Sequence, residues 1–246
     1  VCAPSVAMRN GLLLLTSLFF YAWGEPKYML LMLVSIVQGY GFGLLIEKHR
    51  GQKASKVFLT LSILVSLGLL GYFKYADFFL SSVNAVTGLS LPLLKLSLPI
   101  GISFYTFQTL SYTIDVYRRE VKTEHNIIDF GAYVVMFPQL IAGPIVKYRD
   151  VSAQLHVYKH RYSLQQIEEG MTLFTFGLAK KVLLADAVGA LWTDIIGIAD
   201  SPSATFVGLA NASTPLVWLG VIAYSLQLYF DFSGYSLMAI GMGKML

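Results

Sequence analysis

The sequence predicts an all-α protein, a polytopic transmembrane helical bundle, on three observations. Of its 246 residues, 56% are hydrophobic and only 13% charged, whereas a soluble domain carries about 25% charged residues. Charge-free apolar runs recur at lengths suited to a bilayer, which needs roughly 17–25 residues per helical crossing. The alternation of apolar and polar residues that marks a membrane barrel is missing, and in lipid a helix is then the way to satisfy every backbone group within its own segment. The composition excludes disorder and an ordinary soluble enzyme.

The runs place the spans in order. Residues 10–24, 28–46 and 57–73 form the first three, and residues 96–114 a fourth with an unusually polar interior. Residues 130–146 form a fifth, interrupted by Pro138 and Pro144. Each proline removes a backbone donor and disfavours helix before it, so a broken or re-entrant segment is expected near Pro138 and Pro144. Residues 170–179 make a shorter run that resumes at Val182 after Lys180-Lys181, and residues 201–230 make the longest. No repeat or low-complexity linker divides the chain, so one integral-membrane domain over residues 1–246 is expected.

Charge sets the orientation. The net charge of +4 lies mostly in short tracts between apolar runs, the pattern of cytoplasmic loops, so the expected partner is membrane lipid and not nucleic acid. Lys48, Arg50, Lys53 and Lys56 form one basic cluster and Arg118, Arg119 and Lys122 another, while the intervening connection 81–97 carries only Lys95. Lys147, Arg149, Lys159 and Arg161 then make the next loop basic again. Both of the last two clusters are cytoplasmic only if residues 130–146 dip into the membrane and return. The chain opens Val1-Cys2-Ala3-Pro4 and stops at Lys244-Met245-Leu246 within an apolar segment, which reads as a piece of a longer protein. Cys2 is the only cysteine, so no internal disulfide and no cysteine-based metal site is expected.

Polar groups inside apolar spans are costly and mark candidate sites. The first set runs from Ser103 through Gln108 and Tyr112 to Asp115, Tyr117 and Arg118; hydrogen bonding between helices is its plainer role. The second is Lys180-Lys181 with Asp186. Lys181 and Asp186 are not spaced i,i+4, so no regular helical ion pair is implied, and snorkelling of the lysines to the interface is the simpler expectation. The third is Tyr229 to Ser236 around Asp231, Ser233 and Tyr235. Asp231 is expected to accept from backbone N–H groups near Ser233 and Gly234, or from a tyrosine hydroxyl.

The histidines, His49, His125, His156 and His160, all lie in or beside the basic loops. His156 and His160 are four apart, as a helical metal pair would be. Their sequence neighbourhood suggests no third ligand, and Lys159 and Arg161 would repel a cation, so no metal is expected. There is no Gly-x-Ser-x-Gly elbow, no Gly-x-Gly-x-x-Gly and no P-loop.

Five stretches in order resemble the membrane-bound O-acyltransferase family, in its bacterial alginate O-acetylation-like branch. They are Gly71-Tyr72-Phe73-Lys74-Tyr75-Ala76-Asp77-Phe78, residues 98–105, residues 112–118 (Tyr-Thr-Ile-Asp-Val-Tyr-Arg), residues 137–144 with Arg149-Asp150, and residues 229–236 with Met238-Ala239-Ile240-Gly241. The agreement runs from about Leu12 to the end.

The resemblance implies an acyltransferase of a bacterial inner membrane, with many helices around a tunnel. It would move an acyl group, commonly acetyl, to hydroxyls of an exported polysaccharide or cell-envelope glycan. No bound cofactor is implied. The donor would be acetyl-CoA or another acyl thioester on the cytoplasmic side, and the acceptor a glycan or a periplasmic acyl-relay protein. The family's catalytic histidine and a second histidine belong to its C-terminal half, so both are expected beyond Leu246 and no catalytic residue within this chain. Asp115, Tyr117, Arg118, Asp231, Ser233 and Tyr235 are the expected tunnel or support residues. A secondary transporter or flippase, suggested by the broken segment, and a non-catalytic membrane scaffold are the alternatives.

Overall fold

The computed structural model describes residues 5–140, 146–156, 163–196 and 213–245, the side chains of Gln139 and Ile196 excepted. Every regular element among the described residues is helical. Among the described residues, four helical stretches are long and apolar enough to cross a membrane: Val6–Gly24, Pro26–Lys48, Lys53–Thr87 and Thr214–Met245. The chain divides into two compact units, the first holding α1 to α7 and the second α8 to α10.

In the first unit Ser5 opens α1 (Val6–Gly24) by accepting the Met8 N–H on its side chain, which satisfies one otherwise orphaned donor. A 3₁₀ turn at Pro26–Tyr28 leads into α2 (Met29–Lys48). Next comes α3 (Lys53–Thr87), closed by Gly88 in the left-handed conformation at φ 72°. It continues well past the end expected at residue 73. Its 35 residues measure about 52 Å at 1.5 Å per residue, against a hydrocarbon core of about 30 Å. Lys74 and Asp77 end the charge-free run without ending the helix, and Asp77 accepts from the N–H groups of Leu94 and Lys95 in the connection that follows.

The central helix α4 (Ile102–Arg118) follows Gly101, where a side chain is doubly excluded. Its φ is +73°, and a Cβ would stand 2.5 Å from the Leu140 carbonyl oxygen. On α2, Gly39 lies against Thr109 and Phe130, and Gly43 against the Tyr112 ring. Small residues four apart admit a neighbouring helix to close range.

In α1 and α3 the burial pattern is inverted relative to a soluble bundle. The buried residues of α1 are Asn10, Ser17 and Tyr21, and those of α3 are Ser55, Ser62, Ser66 and Leu70. Outward stand side chains such as Leu15, Phe78 and Trp23, the last 82% exposed. Apolar surface outward and small polar residues inward is the arrangement that lipid selects. Gln38 on α2 donates to Ser66 Oγ of α3 at 2.9 Å, and Ser62 bonds Thr113 of α4.

The fifth run is interrupted, as its prolines predict. It forms α5 (Ile127–Val135), leaves helical geometry at Met136 and resumes as α6 (Phe137–Leu140). Residues 141–145, including Pro144, lie outside the described residues. The Phe137 N–H freed by the break is taken by Ser17 Oγ of α1 at 3.3 Å. Beyond, the Tyr133 hydroxyl donates to the Val146 carbonyl at 2.8 Å, and α7 (Tyr148–His156) follows. Asp129 to Val135 are all buried, making α5 the centre of this unit.

The second unit holds α8 (Leu164–Ala179), a π-helical segment Lys180–Ala185, α9 (Asp186–Ile196) and α10 (Thr214–Met245). The long run expected over residues 201–230 lies partly outside the described residues. Its described part continues as helix through the Asp231 motif to Met245. Helices α8 and α10 run antiparallel and meet at glycines. A Cβ on Gly177 would stand 2.5 Å from the Gly234 oxygen, and one on Gly241 2.5 Å from the Gly170 oxygen. Both pairs are seven residues apart on their helices, so one seam carries both contacts.

Candidate functional site

Each unit carries a polar cluster of its own. In the second unit Lys181 Nζ donates to Asp231 Oδ1 at 2.9 Å and stands 3.7 Å from Asp186 Oδ1. Asp231 is not a local cap, because α10 continues through it. Among the described residues the hydrogen bond it accepts comes from Lys181, and not from the N–H groups or tyrosine hydroxyl expected from the sequence. Lys181 follows Gly177 by four residues and Asp231 precedes Gly234 by three, so the ion pair lies on the seam where the helices are closest. The Lys181–Asp186 contact has a local cause: the Asp186 N–H bonds the Lys181 carbonyl, five residues back. The wider π turn brings i and i+5 onto one face, which regular helical spacing does not predict. Ser233 directs its hydroxyl to the Phe230 carbonyl at 3.4 Å, and Tyr235 is half-buried. Asp231 and Ser233, two apart on one helix, face different directions.

In the first unit Asp115 is buried near the end of α4, and among the described residues its Oδ2 has no hydrogen-bond partner. Tyr117 and Arg118 are exposed. Arg118 and Arg149 both approach Glu120, at 4.0 and 3.4 Å. Exposed pairs of this kind contribute little.

A denser network lies close by. The Tyr112 hydroxyl accepts the Glu124 N–H at 3.0 Å, and the Tyr148 hydroxyl donates to Glu124 Oε2. Burial, then the hydrogen bond and charge of Glu124, push the Tyr148 phenol far above its ordinary range, so it remains a donor at physiological pH. Asn10 of α1 donates to Asp129 Oδ1 and to the Leu155 carbonyl, both at 2.9 Å. Arg9 donates to the Leu155 carbonyl at 2.9 Å. His156 Nε2 stands 3.1 Å from Glu124 Oε2.

His125 pairs with Glu47 at 3.2 Å, and His49 Nδ1 lies 3.0 Å from the Leu45 carbonyl. His160 lies outside the described residues. Sequence reasoning named none of Asn10, Glu124, Asp129 or Tyr148. Asn10 and Asp129 do stand at the edges of charge-free runs, and that is the signal available for them. Glu124 and Tyr148 carry no such mark, because only the fold brings them together.

The comparisons settle the family. The family model for the membrane-bound O-acyltransferase family matches residues 18–244. The chain belongs to the membrane-bound O-acyltransferase family. Its relatives there include "Probable alginate O-acetylase AlgI" of Pseudomonas aeruginosa, 44% identical over 97% of this chain and 44% of that protein. The protein of the same description from Azotobacter vinelandii is 44% identical over 97% of this chain and 46% of its own. A "Peptidoglycan O-acetyltransferase" of Helicobacter pylori is 36% identical over 94% of this chain and 47% of its own. The chain thus spans about half the length of these membrane-bound O-acyltransferase relatives.

Proposed function

We propose that this chain is part of a membrane O-acyltransferase that moves an acyl group, acetyl by preference, from a thioester to hydroxyls of an exported or cell-envelope glycan. The observation that carries this reading is the 44% identity over 97% of the chain to a relative named for alginate acetylation, joined by one named for peptidoglycan. The shared feature of those two names is a glycan hydroxyl as acceptor. Acetyl-CoA or another acyl thioester on the basic, cytoplasmic side is the proposed donor. A polysaccharide or a periplasmic relay protein is the proposed acceptor, in a multi-pass inner-membrane enzyme.

The chemistry divides the labour. Acyl transfer to a hydroxyl needs a base near neutral pKa and donors aimed at the developing oxyanion. The described histidines His49, His125 and His156 engage loop or helix-end groups at the basic end of the first unit. That placement supports a base supplied from outside these 246 residues. This chain would contribute walls and charge supports, with Asp115, Tyr117, Arg118, Asp231, Ser233 and Tyr235 as candidates and Lys181 added as the partner of Asp231. The test supplies acetyl-CoA and polysaccharide to the purified 246-residue chain and to a full-length form. Turnover is expected from the full-length protein alone. Turnover by the short chain above a no-protein control would refute the division, and none from either would refute the acyltransferase reading.

A further inference from the structure

Glu124, Asp129 and His156 come from three separate segments: the connection after α4, the first turn of α5 and the last residue of α7. One ligand-type atom from each lies within 4.8 Å of the other two. Both carboxylates are more than nine-tenths buried, at 5% and 6% exposure, while His156 reaches in from the surface.

The hydrogen bonds around the cluster fix what its inner atoms present. His156 Nδ1 lies 2.7 Å from the Ser152 carbonyl oxygen. A carbonyl only accepts, so Nδ1 carries the hydrogen, and the lone pair of neutral imidazole is on Nε2. That lone pair faces Glu124 Oε2 at 3.1 Å. Two lone pairs at this distance repel unless an electrophile lies between them, either a proton or a metal ion.

A proton answers for His156 and Glu124 but leaves Asp129 unanswered. Among the described residues Asp129 receives one hydrogen bond, from the neutral Asn10 amide to Oδ1, and none to its other oxygen. Arg9 bonds the Oδ1 of the Asn10 amide that serves Asp129, and a buried carboxylate is still costly without a cation directly on it. Each of the three side chains is held from behind: Asp129 by Asn10, Glu124 by Tyr148 and the Asn126 N–H, His156 by Ser152. Outer partners of this kind orient ligands in metal sites. Ligand atoms about 2.0–2.2 Å from one ion and adjacent around it are roughly 3.0–3.6 Å apart, which matches the 3.1 Å between His156 and Glu124.

We propose that Glu124, Asp129 and His156 bind a divalent first-row transition ion such as Zn²⁺ or Mn²⁺. An imidazole with two carboxylates favours that class over Mg²⁺ or Ca²⁺, which take oxygen ligands. The ion clips the end of α7 to α5 and to the connection before it. This role is independent of the acyl-transfer reading.

The test uses the full chain in detergent, purified without a metal-binding tag. Elemental analysis after dialysis should find about one transition ion per chain. EDTA should lower the thermal midpoint, and added Zn²⁺ or Mn²⁺ should restore it. His156→Gln and Asp129→Asn should lose the ion and the response to EDTA, and Tyr148→Phe should weaken binding about ten- to a hundredfold. Wild-type analysis decides the matter even if a variant fails to fold. Absence of stoichiometric ion together with no EDTA effect would overturn the proposal. A midpoint that is indifferent to EDTA and to added metal but falls in His156→Gln would assign the cluster to a hydrogen-bonded histidine–carboxylate pair and overturn the proposal.

Discussion

Lys181 and Asp231 are each partly exposed, and each meets its opposite charge beside the seam of α8 and α10. Removing Asp231 leaves Lys181 to Asp186 or water, whereas removing Lys181 leaves Asp231 without a cation. In a full-length enzyme, Asp231→Ala and Lys181→Met should each lower acetyl transfer per embedded molecule about ten- to a hundredfold, with Asp231→Asn milder. The expectation takes about 1.5–3 kcal/mol for a hydrogen bond to a charged group that lipid shields from water, felt in the transition state, against about 0–1 kcal/mol for a water-exposed pair. If instead embedded protein and activity fall in proportion, the pair serves folding alone. Gln108 makes the opposite case. Its side chain is enclosed, and among the described residues neither its amide oxygen nor its nitrogen is hydrogen-bonded. Gln108→Leu keeps the approximate volume and removes two uncompensated polar atoms, so the thermal midpoint in detergent should hold or rise. A clear fall would mean that the amide has a partner in the membrane.

Helices α8 and α10 are joined by glycines, and that dependence is testable one position at a time. Gly177→Ala and Gly241→Ala each place a Cβ 2.5 Å from a backbone oxygen of the facing helix, whereas a Cβ on Gly243 meets nothing within 4 Å. The first two should cost about 1–3 kcal/mol as overpacking does, read as a lower thermal midpoint, and Gly243→Ala should be neutral. Equal effects at all three positions would reject the seam. The helical class, the early spans and the break after Met136 were legible in the sequence, because each follows from local composition or from proline. The length of α3 was not, since Lys74 and Asp77 look like loop residues until the fold gives Asp77 two backbone donors to hold. Asp231 was singled out on its cost at membrane depth. Its partner was hidden 50 residues away, behind a π turn that regular spacing rules cannot anticipate. The Glu124 network was equally hidden, being built by contacts between segments that are distant in sequence.

The first unit as a whole has a basic end and a plainer one, and this polarity bears on the path of the interrupted segment. The start of α1, the ends of α2 and α4, the start of α5 and α7 are tied together by Arg9 and Asn10 to Leu155, Glu47 to His125, and Glu124 to Tyr148. Lys48, Arg50, Lys53, Arg118, Arg119, Lys122, Lys147 and Arg149 all lie in these segments or in the connections and helix start next to them. At the other end, Glu25 accepts the Ile100 N–H and Tyr28 meets Ser97. The nine residues of α5 make a helix of only about 14 Å, under half of a hydrocarbon core of about 30 Å. Segments on either side of the break are tied at Tyr133 and Val146. A segment that dips in and returns accounts for both facts and keeps consecutive basic loops on one side, as the positive-inside rule requires. Reporter insertions check it. One between Asn84 and Ser90 should read as external, while insertions at Gln52 and at Val157 should both read as cytoplasmic. An external signal at Val157 with a cytoplasmic one at Gln52 would mean that residues 130–146 cross fully, and the dipping path would be abandoned.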